Sequence, residues 1–261
     1  MTKPVFIALD FPDAKTMWGF LDQFPASVRP AVKVGMELFY REGPALVTAL
    51  KEQGFTVFLD LKLYDIPNTV QQATKNVARL GVDYLTVHAA GGVRMLEAAK
   101  KGAQEGADAV GVTAPKLLAI TQLTSFSEKE MQTTQLVTVS MRESVIHLAQ
   151  LAAQAGVAGT ISSAFESADI HANTPAGFLS ITPGIRLAGD AVGDQSRVVT
   201  PARAAEMGAD GIVVGRSITQ ATNPVAAYQL IETEFNAYEG EKIYDRLQNS
   251  SCSSLVGYRG H

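Results

Sequence analysis

The chain has 261 residues, 22 of them basic and 26 acidic for a net charge of −4, and 46% are hydrophobic. That balance excludes a disordered chain, a collagen-like chain and a general nucleic-acid coat. A single cysteine, Cys252, forms no intrachain disulfide, and four scattered histidines without HxH or HExxH spacing form no zinc cage, so the composition predicts a reducing, cytoplasmic setting. The opening residues, Met1 to Asp10, hold too short an apolar run for a signal-peptide core. No other segment reaches the ~18 uncharged apolar residues of a membrane span.

Short apolar runs rich in β-branched residues recur along the chain, each followed by a stretch with helical spacing. In order, strands are predicted over Val5 to Leu9, Ala31 to Gly35, Thr56 to Lys62, Tyr84 to His88, Leu117 to Leu123, Gly159 to Ser163, Phe178 to Thr182 and Gly211 to Gly215. The intervening helices are predicted over Asp13 to Phe24, Gly43 to Gln53, Asn68 to Leu80, Val93 to Glu105, Gln135 to Ala155, Ala164 to Ala172, Pro201 to Met207 and Asn223 to Ala237. Eight alternating units predict a single (β/α)8 TIM barrel over residues 1–237, a fold that commonly spans roughly 250 residues. A doubly wound open sheet is the competing architecture, disfavoured because no GxGxxG follows the first strand. Glycines in "EQGF", "RLGVD", "EGAD", "QAGVAG" and "EMGAD" fall where helices should end, as left-handed C-caps. The segment Thr124 to Gln135 reads either as a lid or as a polar turn capped by Ser127 with Glu130 three residues on. Residues 238–261 lose the pattern and read as a poorly ordered C-terminal extension.

In a barrel of this type the C-terminal strand ends carry the chemistry. Asp10 ends the first strand, Lys33 lies in the second, and the third ends in "FLDLKLYD", with Asp60, Lys62 and Asp65. Residues i and i+2 of a strand share a face, so Asp60 and Lys62 are expected to point into one space at the barrel mouth. The alternative for such a pair is a solvated surface contact; for Lys33 it is a snorkelling edge residue, and for Asp10 a turn or lysine orienter. His88 reads equally as a hydrogen-bonded structural residue or as a base. A second constellation, Gly184 to Arg186 and Val214 to Ile218, ends strands seven and eight. There backbone N–H groups, Gly215 and the Arg216 fork suit a phosphate.

Together, "FLDLKLYDIPNTV" at Phe58 to Val70, Lys33, "TQLTS" at Thr121 to Ser125, "TPGIR" at Thr182 to Arg186 and "VGRSI" at Val214 to Ile218 resemble the orotidine 5′-phosphate decarboxylase family over roughly residues 4 to 237. The resemblance implies conversion of orotidine 5′-monophosphate to uridine 5′-monophosphate and CO₂ without metal or cofactor. It assigns Asp60, Lys62, Asp65 and Lys33 to the charged core, with Lys62 protonating C6. It gives Asp10 and Lys33 to the ribose, Thr124 to the pyrimidine edge, Pro183 to an apolar pocket beside the carboxylate, and Arg186, Gln195, Gly215 and Arg216 to the phosphate region. It further implies a homodimer in which Asp65, Ile66 and Thr69 act in the partner's site, with no nucleic-acid or membrane partner. The alternatives are a metal-dependent phosphosugar decarboxylase of the same superfamily, such as 3-keto-gulonate 6-phosphate decarboxylase, in which a carboxylate replaces Lys33 and holds Mg²⁺; a Schiff-base aldolase; and a non-catalytic phosphate-ligand sensor.

Overall fold

The computed structural model describes residues 2–189 and 198–237. Eight parallel strands, β1 (Val5–Ala8), β2 (Ala31–Gly35), β3 (Val57–Leu63), β4 (Tyr84–His88), β5 (Lys116–Ile120), β6 (Gly159–Ile161), β7 (Leu179–Thr182) and β8 (Gly211–Val214), pair in sequence order. Pairing of β1 with β8 closes the barrel, so the expected TIM fold forms and the open sheet does not.

Helices cover the outside: α1 (Ala14–Leu21), α2 (Met36–Glu42), α3 (Pro44–Glu52), α4 (Pro67–Ala78), α5 (Gly92–Asp108), α6 (Glu128–Gln135), α7 (Met141–Gln154), α8 (Ala164–Asn173), α9 (Pro201–Glu206), α10 (Arg216–Thr219) and α11 over residues 224–237. Outward-facing strand residues such as Ile7, Val32, Leu59 and Leu85 are buried against them. The opposite parity faces inward. Phe6, Phe58, Leu118, Ile181 and Val213 form a separate interior cluster with Tyr84 packed against it. The Phe6 ring meets those of Phe58 and Tyr84 edge-on, with centroids 5.3 and 5.1 Å away. Edge-to-face contact is the favoured geometry for such rings, so three strands share a rigid apolar floor. Two residues further along the same strands stand Ala8, Asp60 and Thr86. The pleat thereby turns a sequence interval of two into a floor below and polar groups above.

Three expectations require correction. The helix expected over Gln135 to Ala155 is two helices, because Leu136 turns left-handed (φ 53°) and ends α6. Capping boxes at Ser127 with Glu130 and at Ser140 with Glu143 start α6 and α7 separately. Helix α2 fills the stretch left unassigned after β2. The glycine of "EGAD", Gly106, is no C-cap; it lies within α5, where its missing side chain admits Lys75 O, 2.1 Å from where a Cβ would sit. Gly111 (φ 71°) takes the left-handed turn instead, whereas Gly54, Gly81, Gly156 and Gly208 have the expected positive φ. Gln195 and the extension 238–261 lie outside the described residues.

Candidate active site

A cavity of about 680 Å³ opens at the C-terminal ends of the strands, above the aromatic floor. Asp10, Lys33, Asp60 and Lys62 line one part of it, Thr124 and Pro183 another, and Arg186, Gly215 and Arg216 a third.

The ionic part is a row of alternating charge. Lys33 Nζ donates to Asp10 Oδ1 at 3.1 Å and stands 3.8 Å from Asp60 Oδ2. Lys62 Nζ donates to both Asp60 oxygens, at 3.0 and 2.9 Å. Side-chain exposure is 11% for Lys33 and 15% for Asp60, against 58% for Asp10 at the rim, so the inner pairs are not solvated surface contacts and Lys33 does not snorkel. At about 4 Å and an effective dielectric of 20, each opposite pair is worth roughly 4 kcal/mol before desolvation is counted. Gly35 leaves room for the row as it stands: a Cβ there would lie 2.9 Å from Lys33 Nζ and 3.3 Å from Asp10 Oδ1.

Asp60 and Lys62 share a space, but simple strand alternation is not the reason. The register between β3 and β4 slips after Leu59↔Leu85 and resumes at Leu63↔Val87, so Asp60, Leu61 and Lys62 oppose Thr86 alone. Within this bulge Lys62 is left-handed at φ 52°, a conformation that costs a non-glycine residue about 1–3 kcal/mol. Such strain persists only when its surroundings hold it.

His88 takes its structural reading. Its Nδ1 accepts from Ala90 N–H at 3.2 Å, capping a single 3₁₀ turn, and its ring lies on Tyr64. Burial, and secondarily the charge of Lys62, lowers its pKa, which keeps the accepting imidazole neutral. Hydrogen bonds link the end of β5 to the segment that follows it. Gln122 and Gln135 exchange hydrogen bonds at 3.0 and 2.8 Å, and Gln122 also donates to Ser144 at 2.9 Å. The Ser127–Glu130 capping box forms as expected, but it starts a helix, α6, and not a turn. After β7, Arg186 N–H donates to Val199 O and Val199 N–H to Gly184 O, which fixes the Arg186 loop against the start of α9. Arg186 Nη1 donates to Ile185 O at 2.8 Å.

Asp65, Ile66 and Thr69 are exposed and outside the cavity lining of their own chain. Asp65 Oδ1 accepts from Ile66 N–H at 2.6 Å, and Pro67 begins α4 immediately afterwards. Among the described residues, no group of three His, Cys, Asp or Glu is placed to hold a metal ion, and no helix is long and apolar enough to cross a membrane. Sequence reasoning missed Gly35 and Thr86. For Thr86 the only signal was its place one residue before Val87 and two before His88, on a strand whose inward parity Tyr84 already marks.

Residues 3–231 match the model of the orotidine 5′-phosphate decarboxylase / HUMPS family. The chain belongs to this family. An orotidine 5′-phosphate decarboxylase of Oenococcus oeni is 55% identical over 235 residues, covering 90% of this chain and 100% of the relative. Another from Enterococcus faecalis is 56% identical over 230 residues, covering 88% and 97%. Among solved structures, an orotidine 5′-phosphate decarboxylase of Lactobacillus acidophilus superposes with a TM-score of 0.81 at 43% identity, covering 90% of this chain and 99% of that one. An uncharacterized conserved protein of Geobacillus kaustophilus does so with a TM-score of 0.79 at 45% identity, covering 89% and 100%.

Proposed function

We propose that this chain decarboxylates orotidine 5′-monophosphate to uridine 5′-monophosphate, a step of pyrimidine biosynthesis, with no metal or organic cofactor. The observation that carries the reading is the ionic row itself: the one inner carboxylate, Asp60, is gripped by the ammonium of Lys62 and faced by that of Lys33, in the same cavity as Arg186 and Arg216. A cavity lined by two arginines in one part and by the row of alternating charge in another suits a nucleotide that carries both a phosphate and a carboxylate.

The chemistry follows from the charges. Breaking the C6–carboxylate bond releases CO₂ and leaves an electron pair on a ring carbon without an adjacent π sink, so the barrier is electrostatic. The ammonium of Lys62 faces that developing charge, then gives a proton to C6 and regains one from solvent. Asp60 opposes the substrate carboxylate more than the transition state, and phosphate contacts far from C6 hold the nucleotide against that repulsion. Lys33 and Asp10 take the ribose, Thr124 the pyrimidine edge, and Pro183 the apolar wall beside the carboxylate. Arg186, Arg216, Gly215 and Gln195 take the phosphate region. A Cβ at Gly215 would meet only Ala8, at 3.8 Å, so the backbone there has open space beside it for an approaching anion. The exposed Asp65, Ile66 and Thr69 complete the site of a second copy in a homodimer, and the enzyme works in the cytoplasm.

The ammonium groups around Asp60 also weigh against the metal-dependent sugar-phosphate reading, since a divalent ion would have to displace both from the carboxylate. The deciding experiment is ultraviolet loss of orotidine 5′-monophosphate with a chelator present and nothing added. Activity should survive the chelator, and Lys62→Ala should lose nearly all turnover while still binding uridine 5′-monophosphate. Absence of turnover in the parent, or abolition by the chelator, overturns the function; near-normal turnover of Lys62→Ala removes that lysine as the proton donor.

A further inference from the structure

The bulge in β3 leaves three residues, Asp60, Leu61 and Lys62, opposite a single residue of β4, and the side chain of that residue spans the gap. Thr86 is fully buried. Its Oγ1 accepts from the Lys62 backbone N–H at 2.8 Å and lies 2.9 Å from Asp60 Oδ1. The directions are fixed by chemistry: an amide N–H only donates, so the hydroxyl accepts there, and an ionised carboxylate only accepts, so the hydroxyl spends its one proton on Asp60. One hydroxyl therefore holds the backbone of the residue in the strained left-handed conformation and the carboxylate its ammonium grips.

We infer that Thr86 is a positioning residue for the decarboxylation, setting the Lys62 ammonium and the Asp60 carboxylate at fixed height and separation beneath C6. The inference rests on the decarboxylase reading and adds to it a residue that touches no substrate. Both charges reach the cavity from one side of a bulge that a plain β ladder would not hold. Without the hydroxyl, the Lys62 amide loses its acceptor and the Asp60 oxygen nearest β4 loses a donor. The pair is then free to settle closer to each other and away from the reacting carbon.

The test compares Thr86→Val, which keeps the shape and deletes the hydroxyl, with Thr86→Ser, which keeps the hydroxyl and deletes the methyl. Misplacement of a catalytic group by an ångström or less costs up to about 100-fold, so Thr86→Val should lower kcat by about 10- to 100-fold. KM for orotidine 5′-monophosphate and affinity for uridine 5′-monophosphate should stay near parental, because phosphate and ribose contacts are untouched. Thr86→Ser should recover most of the loss. If Thr86→Val does not fold, Thr86→Cys replaces it, since a thiol is close to serine in size but a weak donor and acceptor; it should fall well below Thr86→Ser. A parental kcat in Thr86→Val, or equal impairment of the Ser and Val variants, overturns the inference, the second result assigning Thr86 a packing role. An inactive parent would instead overturn the decarboxylase reading on which it stands.

Discussion

Replacing Gly35 by alanine tests whether the charge row works through its geometry. The new Cβ would lie 2.9 Å from Lys33 Nζ and 3.3 Å from Asp10 Oδ1, whereas relaxed contacts between heavy atoms lie near 3.5 Å or beyond, so the ammonium must retreat by about half an ångström. The backbone raises no objection, since φ is −92° and ψ −177°, an extended conformation open to any residue. The displaced atom is the far end of a flexible side chain, and alanine removes conformational freedom from the unfolded chain worth about 0.4–1 kcal/mol, so stability should be nearly unchanged. Activity should not be. With up to about 100-fold lost per ångström of misplacement, half an ångström at Lys33 corresponds to roughly tenfold in kcat/KM. The measurement pairs kcat/KM from the ultraviolet assay with a thermal melt followed by circular dichroism. Parental kcat/KM at an unchanged melting temperature would refute the claim that the position of the Lys33 ammonium matters.

Gly102→Ala should do the reverse and act on stability. Its Cβ would lie 2.1 Å from Gln71 O and 2.4 Å from Thr74 Oγ1, across the contact between α4 and α5, where a backbone atom cannot give way cheaply. Overpacking of this kind costs about 1–3 kcal/mol, visible as a melting temperature lower by several degrees. The pair His171–Asp210 should make stability depend on pH: the hydrogen bond that His171 donates to Asp210, then contacts with Gly208 O and the Asp210 charge, raise the histidine pKa above its ordinary value. A raised folded pKa gives stability that is complete below the unfolded pKa near 6.5 and is lost as pH climbs through the higher folded value. Denaturant unfolding at pH 6 and pH 8 should therefore show a fall in stability that His171→Gln flattens. The pair is about one-third exposed, which limits the effect to about 1 kcal/mol at most. An equal fall in the variant would trace the pH dependence to other groups.

The fold was legible because its signals are local and repeated. Each strand is a short apolar run, and four of the five glycines expected to end helices do carry positive φ. The exception, Gly106, shows the limit of such reading: glycine before a strand signals either a left-handed turn or a close helix contact, and only the partner helix α4 decides between them. The break between α6 and α7 was hidden for a related reason. Leu136 is not a residue that marks a left-handed cap, and it is the second capping box, at Ser140, that restarts the helix. At the site, the charged residues could be named from the sequence because charge at strand ends is conspicuous. Gly35 and Thr86 could not, since a missing side chain and a buried hydroxyl acquire meaning only once neighbouring strands are brought to within hydrogen-bond distance of each other.

That difference bears on how the barrel makes a site out of ordinary parts. Inward parity stacks Phe58 beneath Asp60 and Tyr84 beneath Thr86, so the polar groups rest on an aromatic layer. Over such a floor, Asp60 is satisfied among the described residues by the Lys62 ammonium, the Thr86 hydroxyl and, at 3.8 Å, Lys33. All three come from β2, β3 and β4, adjacent strands whose spacing the barrel fixes. A carboxylate held this way cannot swing aside when a second carboxylate is pressed toward it, whereas a surface aspartate would turn into water. The proposed chemistry needs that immobility. Repulsion between Asp60 and a bound substrate carboxylate is relieved by moving one of the two, and a β3 backbone locked through Lys62 and Thr86 leaves departure of the substrate's CO₂ as the motion that relieves it.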